Sequence, residues 1–155
     1  MRKGNAVPRS ILPDPKFNDL NIAKLINMIM LQGKKGLAQR IVYGAFDKVA
    51  EKTKKDPYTI FTKAMENVGP SVELKTKRVR GSNFKVPMEV GLKRRTVLSL
   101  RWLIESSRDR NEKEMIDRLA NELIDASNGV GASVKKKDDM HKTAEANKAF
   151  SHLHD

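Results

Sequence analysis

The side chains of this sequence best placed to do chemistry are cations. Nine of them, Lys75, Lys77, Arg78, Arg80, Lys85, Lys93, Arg94, Arg95 and Arg101, lie between positions 75 and 101 with a single acid, Glu89, so this stretch carries +8 of the formal +12 of the chain. Ammonium and guanidinium groups at that density neutralise phosphates and release counterions from a polyanion. No fold requires such a surplus, and self-repulsion penalises it unless a polyanion is near. Residues 103–127 reverse the balance, with seven acids and four bases. A basic segment beside an acidic one points to an oriented partner. Arg94, Arg101 and Arg108 recur every seven residues and align beside one helix face, where Glu105, four residues after Arg101, is spaced to pair with it. Smaller clusters stand at Arg2, Lys3 and Arg9, at Lys34 and Lys35, and at Lys135, Lys136 and Lys137. Each alone reads as solvated surface; their sum favours nucleic acid.

Other chemistries find no complete residue set. Gly33-Lys34-Lys35 resembles the end of a phosphate loop, but Met28 stands where its first Gly belongs and Lys35 where Ser or Thr belongs. Gly129-Val130-Gly131 lacks its third glycine, since Val134 holds that position. There is no Cys, and the three histidines, His141, His152 and His154, all fall in the last 15 residues. That leaves no thiolate and no internal His cluster for nucleophilic work, and no cofactor or metal is expected. Phe84 differs from the other aromatics, which fall at helical core spacings. It lies within basic sequence beside a turn, where it can stack on a base or pack across a ribbon.

Elements must hold these groups in place. Three prolines among the first 18 residues, with Arg2, Lys3, Arg9 and Lys16, read as a basic extended tail. A first helix is expected from Asn18 or Asp19 with Ile22, Leu25, Ile26 and Ile29 on one face. A second carries Ala38, Ile41, Val42, Ala45 and Val49 and packs on the first as a hairpin. Asp56 and Pro57 open a third, with Ile60, Phe61, Ala64, Met65 and Val68 as its stripe and Gly69-Pro70 as a left-handed stop. The period then falls to two at Val72, Leu74 and Thr76. After Gly81-Ser82-Asn83 it continues through Phe84, Val86, Met88 and Val90, which reads as a β-ribbon over about residues 71–91. Pro87 makes its strand an edge, and a two-stranded ribbon needs a support. A fourth helix buries Val97, Leu100, Leu103 and Ile104. A fifth is expected from about Asn111, with Glu114 as a capping-box partner and Ile116, Leu119, Ala120, Leu123 and Ile124 on its face. The sixth, from Gly131 to about Phe150, has only Ala144 and Ala149 as a weak stripe. The expected architecture is mainly α, a single-domain bundle of six helices over residues 19–155 with one protruding β-hairpin between helices three and four.

Several strings together resemble a known family. They are Ile11-Leu12-Pro13-Asp14-Pro15-Lys16, Gly33-Lys34-Lys35 with Ile41-Val42-Tyr43, Val86-Pro87-Met88-Glu89-Val90, Arg94-Arg95, and Leu100-Arg101-Trp102. To these are added Arg118-Leu119-Ala120-Asn121-Glu122-Leu123, Lys135-Lys136-Lys137-Asp138-Asp139, and Ala144-Glu145-Ala146-Asn147-Lys148-Ala149-Phe150. In register over essentially the whole chain, the set resembles the bacterial-type small-subunit ribosomal protein S-seven family. The resemblance implies a helical body with a β-ribbon that binds small-subunit rRNA directly, organises assembly of the subunit head and lies near the tRNA and mRNA exit site, beside neighbouring small-subunit proteins. It implies rRNA contacts from Arg2, Lys3, Arg9, Lys34, Lys35, Lys75, Lys77, Arg78, Lys93, Arg94, Arg95, Arg101, Arg108, Lys135, Lys136 and Lys137. Exit-site contacts are implied for the tip, Val79, Arg80, Gly81, Ser82, Asn83 and Phe84, with Lys142 and Lys148. The tip departs from the family, which usually has a Gly pair and a Tyr-Gln where this chain has Arg80-Gly81 and Phe84-Lys85. The end departs too: Leu153-His154-Asp155 replaces an aromatic and basic tripeptide, so no role transfers to it.

Two other functions compete on residue type alone. A DNA-architectural protein with a basic β-arm shares the charge, and structured rRNA competing against duplex DNA separates the two. An RNA-modifying enzyme would show turnover on bound RNA, which the missing catalytic residues argue against. No apolar run approaches the roughly 18 residues of a membrane-spanning helix. With no signal-peptide core at the N-terminus and no Cys, the expected location is the cytoplasm, on the ribosome, with no membrane partner.

Overall fold

The computed structural model describes residues 3–154. Its elements run α1 (Leu20–Ile29), α2 (Lys35–Thr53), α3 (Pro57–Val68), β1 (Val72–Val79), β2 (Ser82–Glu89), α4 (Leu92–Arg108), α5 (Met115–Ser127), α6 (Ala132–Ala146) and a terminal 3-10 helix (Lys148–His154). The mainly helical fold with one hairpin between α3 and α4 is the one the sequence predicts. Two N-termini are set locally: the Asp19 carboxylate accepts from Ile22 N at 2.9 Å and that of Asp56 from Tyr58 N at 3.4 Å. The expected apolar faces converge, with Ile22, Leu25, Val42, Phe46, Phe61 and Leu103 among the buried residues. Each such side chain withdrawn from water stabilises the fold by roughly 1.5–3 kcal/mol. α5 occupies the middle, packed against α2, α3, α4 and α6.

Four local expectations are corrected. Gly69 has φ −64° and ψ 119°, so it is not a left-handed stop. What its position demands is space: a Cβ there would lie 2.7 Å from Arg95 Nε and 2.8 Å from Ser99 Oγ. The fifth helix begins at Met115, not Asn111, and Glu114 makes no side-chain cap. Within that stretch Arg110 and Glu112 are drawn instead into an ion network with Glu122 and Asp125. The last helix breaks at Asn147 and continues as the 3-10 helix, where Ala144 is buried and Ala149 exposed. The ribbon turns at Arg80-Gly81, with φ 49° and 86°, while Ser82 and Asn83 belong to β2. A two-residue loop with both φ positive matches the right-handed twist of a hairpin.

That register decides what the ribbon presents. Val72 faces Glu89 and Leu74 faces Pro87, whereas Val86 faces Lys75 and Phe84 faces Lys77. Val72 and Leu74 therefore lie with Pro87 on one face and Phe84, Val86 and Met88 with Val79 on the other, and neither face is wholly dry. Support comes from behind. α6 packs on β1 and the 3-10 helix on β2, Phe84 meets Phe150 with ring centroids 5.2 Å apart, and Val86 is buried. At the root, Ser71 N donates to His141 Nε2 at 3.0 Å and Val90 N to Ser71 O at 3.0 Å.

The N-terminal segment is exposed over residues 3–13 and then closes into a turn. The buried Asp14 carboxylate accepts from Lys16 N at 3.1 Å, Phe17 N at 2.9 Å and the Tyr43 hydroxyl at 2.5 Å. Phe17 packs edge-on against Phe46. The turn is thereby fixed to α2.

Candidate nucleic-acid interface

The cations divide by whether the protein itself satisfies them. Lys75, Arg78, Arg80 and Lys85 project from the ribbon, exposed and without a hydrogen bond or ion pair among the described residues. Lys93, in the first turn of α4, and Arg101, two turns on, are likewise exposed and unpaired. Lys3, Arg9, Lys34, Lys35, Lys135 and Lys142 share that condition. Unpaired, solvated cations are the groups able to take phosphates, because no internal acid competes for them.

Others are engaged. Arg94 donates to Glu73 Oε2 from both Nε and Nη2 at 3.2 Å, bracing the ribbon against α4. Arg95 donates to the carbonyls of Gly69 at 3.2 Å and Glu66 at 3.3 Å, tying α4 to the end of α3. Arg108 reaches the Ile29 carbonyl at 3.3 Å. Lys136 pairs with Glu105 at 2.9 Å, Lys137 approaches Asp138 at 3.8 Å, and Lys148 approaches Glu145 at 3.6 Å. Glu105 thus goes to α6 and leaves Arg101 free, against the intrahelical pair that the spacing suggests. The sevenfold stripe is therefore not uniform: Arg101 is open, while Arg94 and Arg108 also hold the fold together.

The structure brings Arg9 of the tail and Lys35 of α2 to one cleft, and sets Lys34 on a separate groove between α1 and α2. The ribbon splits its own charge, with Lys75 and Lys77 on the face of Phe84 and Val86 and with Arg78 and Lys85 on the other. At the tip Arg80, Gly81, Ser82 and Asn83 are exposed, Val79 is half-buried, and Phe84 is held by Phe150. Arg2 lies outside the described residues.

Residues 1–148 match the family model described as ribosomal protein S7p/S5e. The chain belongs to this family. It is similar to the small ribosomal subunit protein uS7 of Malacoplasma penetrans, 59% identical over 153 residues that cover 99% of both chains. It is equally similar in extent to that of Mycoplasmoides gallisepticum, 56% identical over 153 residues and 99% of both chains. That of Cellvibrio japonicus is 54% identical over 152 residues, covering 98% of this chain and 97% of the relative. The family consists of ribosomal proteins, structural components rather than enzymes, and the DNA-architectural and RNA-modifying readings gain no support from it.

Within a member of this family, what sequence reasoning missed is the pairing that sets the cations' availability. Glu73 and Glu105 decide which cations are free, Phe150 decides where Phe84 points, and His141 anchors the ribbon root. Their partners lie 21 to 70 positions away in sequence, so no local spacing announces them. Among the described residues no three metal-ligating side chains converge, and no helix is long and apolar enough to cross a membrane.

Proposed function

We propose that this chain is a structural component of the small ribosomal subunit that binds rRNA of the subunit head, with neighbouring small-subunit proteins as its other partners. The observation that carries the reading is the set of exposed cations, unpaired among the described residues, on the tail, the start of α2, the ribbon, α4 and α6. RNA helices meet all five only when mutually arranged, so binding stabilises that arrangement. The deep groove of A-form RNA hides its base edges, so selectivity comes from three-dimensional shape. The ribbon and the 3-10 helix that backs it face exit-site tRNA and mRNA. This part rests on the exposed, basic tip at Arg80 and on Phe84, with Lys142 and Lys148 alongside.

Replacing Lys75, Lys93 and Arg101 together by Gln tests the first part. Affinity for a head rRNA fragment should fall tenfold or more, and the salt slope should shrink by about 0.7–0.9 for each phosphate lost. Replacing Lys54, Lys55 and Lys63, exposed cations outside the proposed segments, removes the same charge and should do far less. Equal losses would reduce the interface to net charge. For the second part, deleting Arg78, Val79, Ser82 and Asn83 shortens the ribbon by two pairs while keeping the Arg80-Gly81 turn and the pairing of Lys77 with Phe84. Helical circular dichroism and subunit entry should persist, while exit-site tRNA retention or reading-frame accuracy changes. Unchanged retention and framing would remove the exit-site role.

A further inference from the structure

The fixed turn at Asp14 has a consequence one step up the chain. It holds residues 9–13 across α1 and α2, leaving a cleft of about 590 Å3 between them. That volume falls in the ~300–1,000 Å3 range of small-molecule sites. The floor is apolar, made by Ala23 and Ile26 of α1 with Ile11 and Pro13 of the tail. The walls carry two carboxamides, Asn27 on α1 and Gln39 on α2, both half-buried and both without a hydrogen bond among the described residues. At the mouth stand Arg9 and Lys35, exposed and unpaired. The one acid on the lining, Asp14, has its carboxylate occupied by three donors.

Each part of this arrangement answers one part of a nucleotide. An apolar slot takes the faces of a base. Carboxamides, each with a donor and an acceptor side by side, match the paired donor and acceptor on a base edge. Cations at the rim take the phosphate. Both carboxamides reach solvent and are claimed by no protein group among the described residues, so their donors and acceptors stay open to a ligand. A basic peptide fits less well, because the Arg9 and Lys35 rim repels it.

We propose that this cleft is a nucleotide-binding pocket that takes one unstacked base of the bound RNA, with Asn27 and Gln39 reading its edge and Arg9 and Lys35 holding its phosphate. The proposal deepens the rRNA-binding reading and rests on it for the identity of the polymer.

The pocket is tested on the intact protein with AMP, GMP, CMP and UMP at millimolar concentration, following the side-chain NH2 signals of Asn27 and Gln39 and the methyls of Ile26 by NMR. At least one nucleotide should shift all three groups, while inorganic phosphate shifts only signals of Arg9 and Lys35. If all four nucleotides act only as phosphate does, the pocket is overturned. On a head rRNA fragment, N27A/Q39A should bind roughly ten- to a hundredfold more weakly at constant salt with an unchanged salt slope, whereas R9Q/K35Q should lower the slope. Unchanged binding by N27A/Q39A, with native thermal unfolding, also overturns it. Nucleotide shifts in a protein that binds no rRNA fragment would uphold the cleft and reject the polymer reading, so the two failures are distinguishable.

Discussion

Between α4 and α5, Arg110 is held by Glu112 at 3.0 Å, Glu122 at 3.0 Å and Asp125 at 2.8 Å, while on the ribbon Lys75, Arg78, Arg80 and Lys85 have no partner among the described residues. The two regions stand on either side of α4 and both are rich in charge, but they use it differently. Around Arg110 the network is closed: Glu122, fully buried, also accepts from Ser133 N at 3.1 Å and Ser133 Oγ at 2.6 Å, fixing the start of α6. Lys48 pairs with Asp117 and Arg118 donates to the Arg108 carbonyl at 2.9 Å in the same region. These charges hold elements together and have little left to offer an outside anion. Lys75, Arg78, Arg80 and Lys85 hold nothing internal among the described residues, so their repulsion is relieved by a polyanion. Being basic is thus not enough to mark an interface residue; being basic and unclaimed is.

The largest break in this contrast is Arg110→Ala. It leaves the Glu122 carboxylate buried without its cation, a change that costs about 3 kcal/mol when a partner is removed from a buried pair. Urea unfolding should show the loss, and the salt slope of rRNA binding measured below the transition should stay as in the parent. A changed slope would mean that Arg110 also meets phosphate and that the network is not closed.

The helices were legible in the sequence because their faces repeat at 3.6 residues and their caps are local, as at Asp19 and Asp56. The charge concentration was equally plain. What escaped depends on tertiary pairing. The start of α5 at Met115 follows from Arg110 recruiting Glu112, which a capping-box spacing at Asn111 cannot reveal. The turn at Arg80-Gly81 was hidden because Arg is an uncommon residue at positive φ, whereas Gly-Ser-Asn reads as ordinary loop. The register then set Val72 and Leu74 on the face opposite Phe84, Val86 and Met88. Of the candidate interface, the cations themselves were visible, but not which of them Glu73 and Glu105 had already engaged.

A smaller effect separates the regions by pH. Arg110 and then Asn121 hold the Glu112 carboxyl down at about 2, below its ordinary 4.5. Its folded-state value is depressed, so the stability it contributes is present above pH 4.5 and is lost as pH falls towards 2. Tyr43 runs the other way: burial first, then its bond to Asp14, pushes the hydroxyl up to about 12. The docked tail is therefore fully stabilised below pH 10 and loosens between 10 and 12. Urea midpoints across pH should fall at both ends and stay level between pH 5 and 9, with Tyr43→Phe lessening the alkaline loss, to which Tyr58, raised by its bond to Asp19, also contributes, and R110A lessening the acid one. Affinity for rRNA at constant salt should hold level between pH 5 and 9, where the fold itself does.

The smallest effect is the most pointed, because it moves one cation from the engaged class to the free one. Lys136 and Glu105 pair at 2.9 Å with side chains 35% and 48% exposed, and an ion pair this solvated contributes at most about 1 kcal/mol. Glu105→Gln should therefore leave thermal unfolding nearly unchanged. It should nonetheless raise affinity for the head rRNA fragment a few-fold and steepen the salt slope by up to about 0.9, since Lys136 becomes available beside Arg101. The double variant E105Q/K136Q discriminates the source of the gain. If the gain vanishes, Lys136 was the released group, and availability rather than net charge governs binding. If it persists, removal of the carboxylate acted on Arg101 itself, four residues away on α4 and within a Debye length of about 8 Å, which would make Arg101 the principal phosphate contact of that helix.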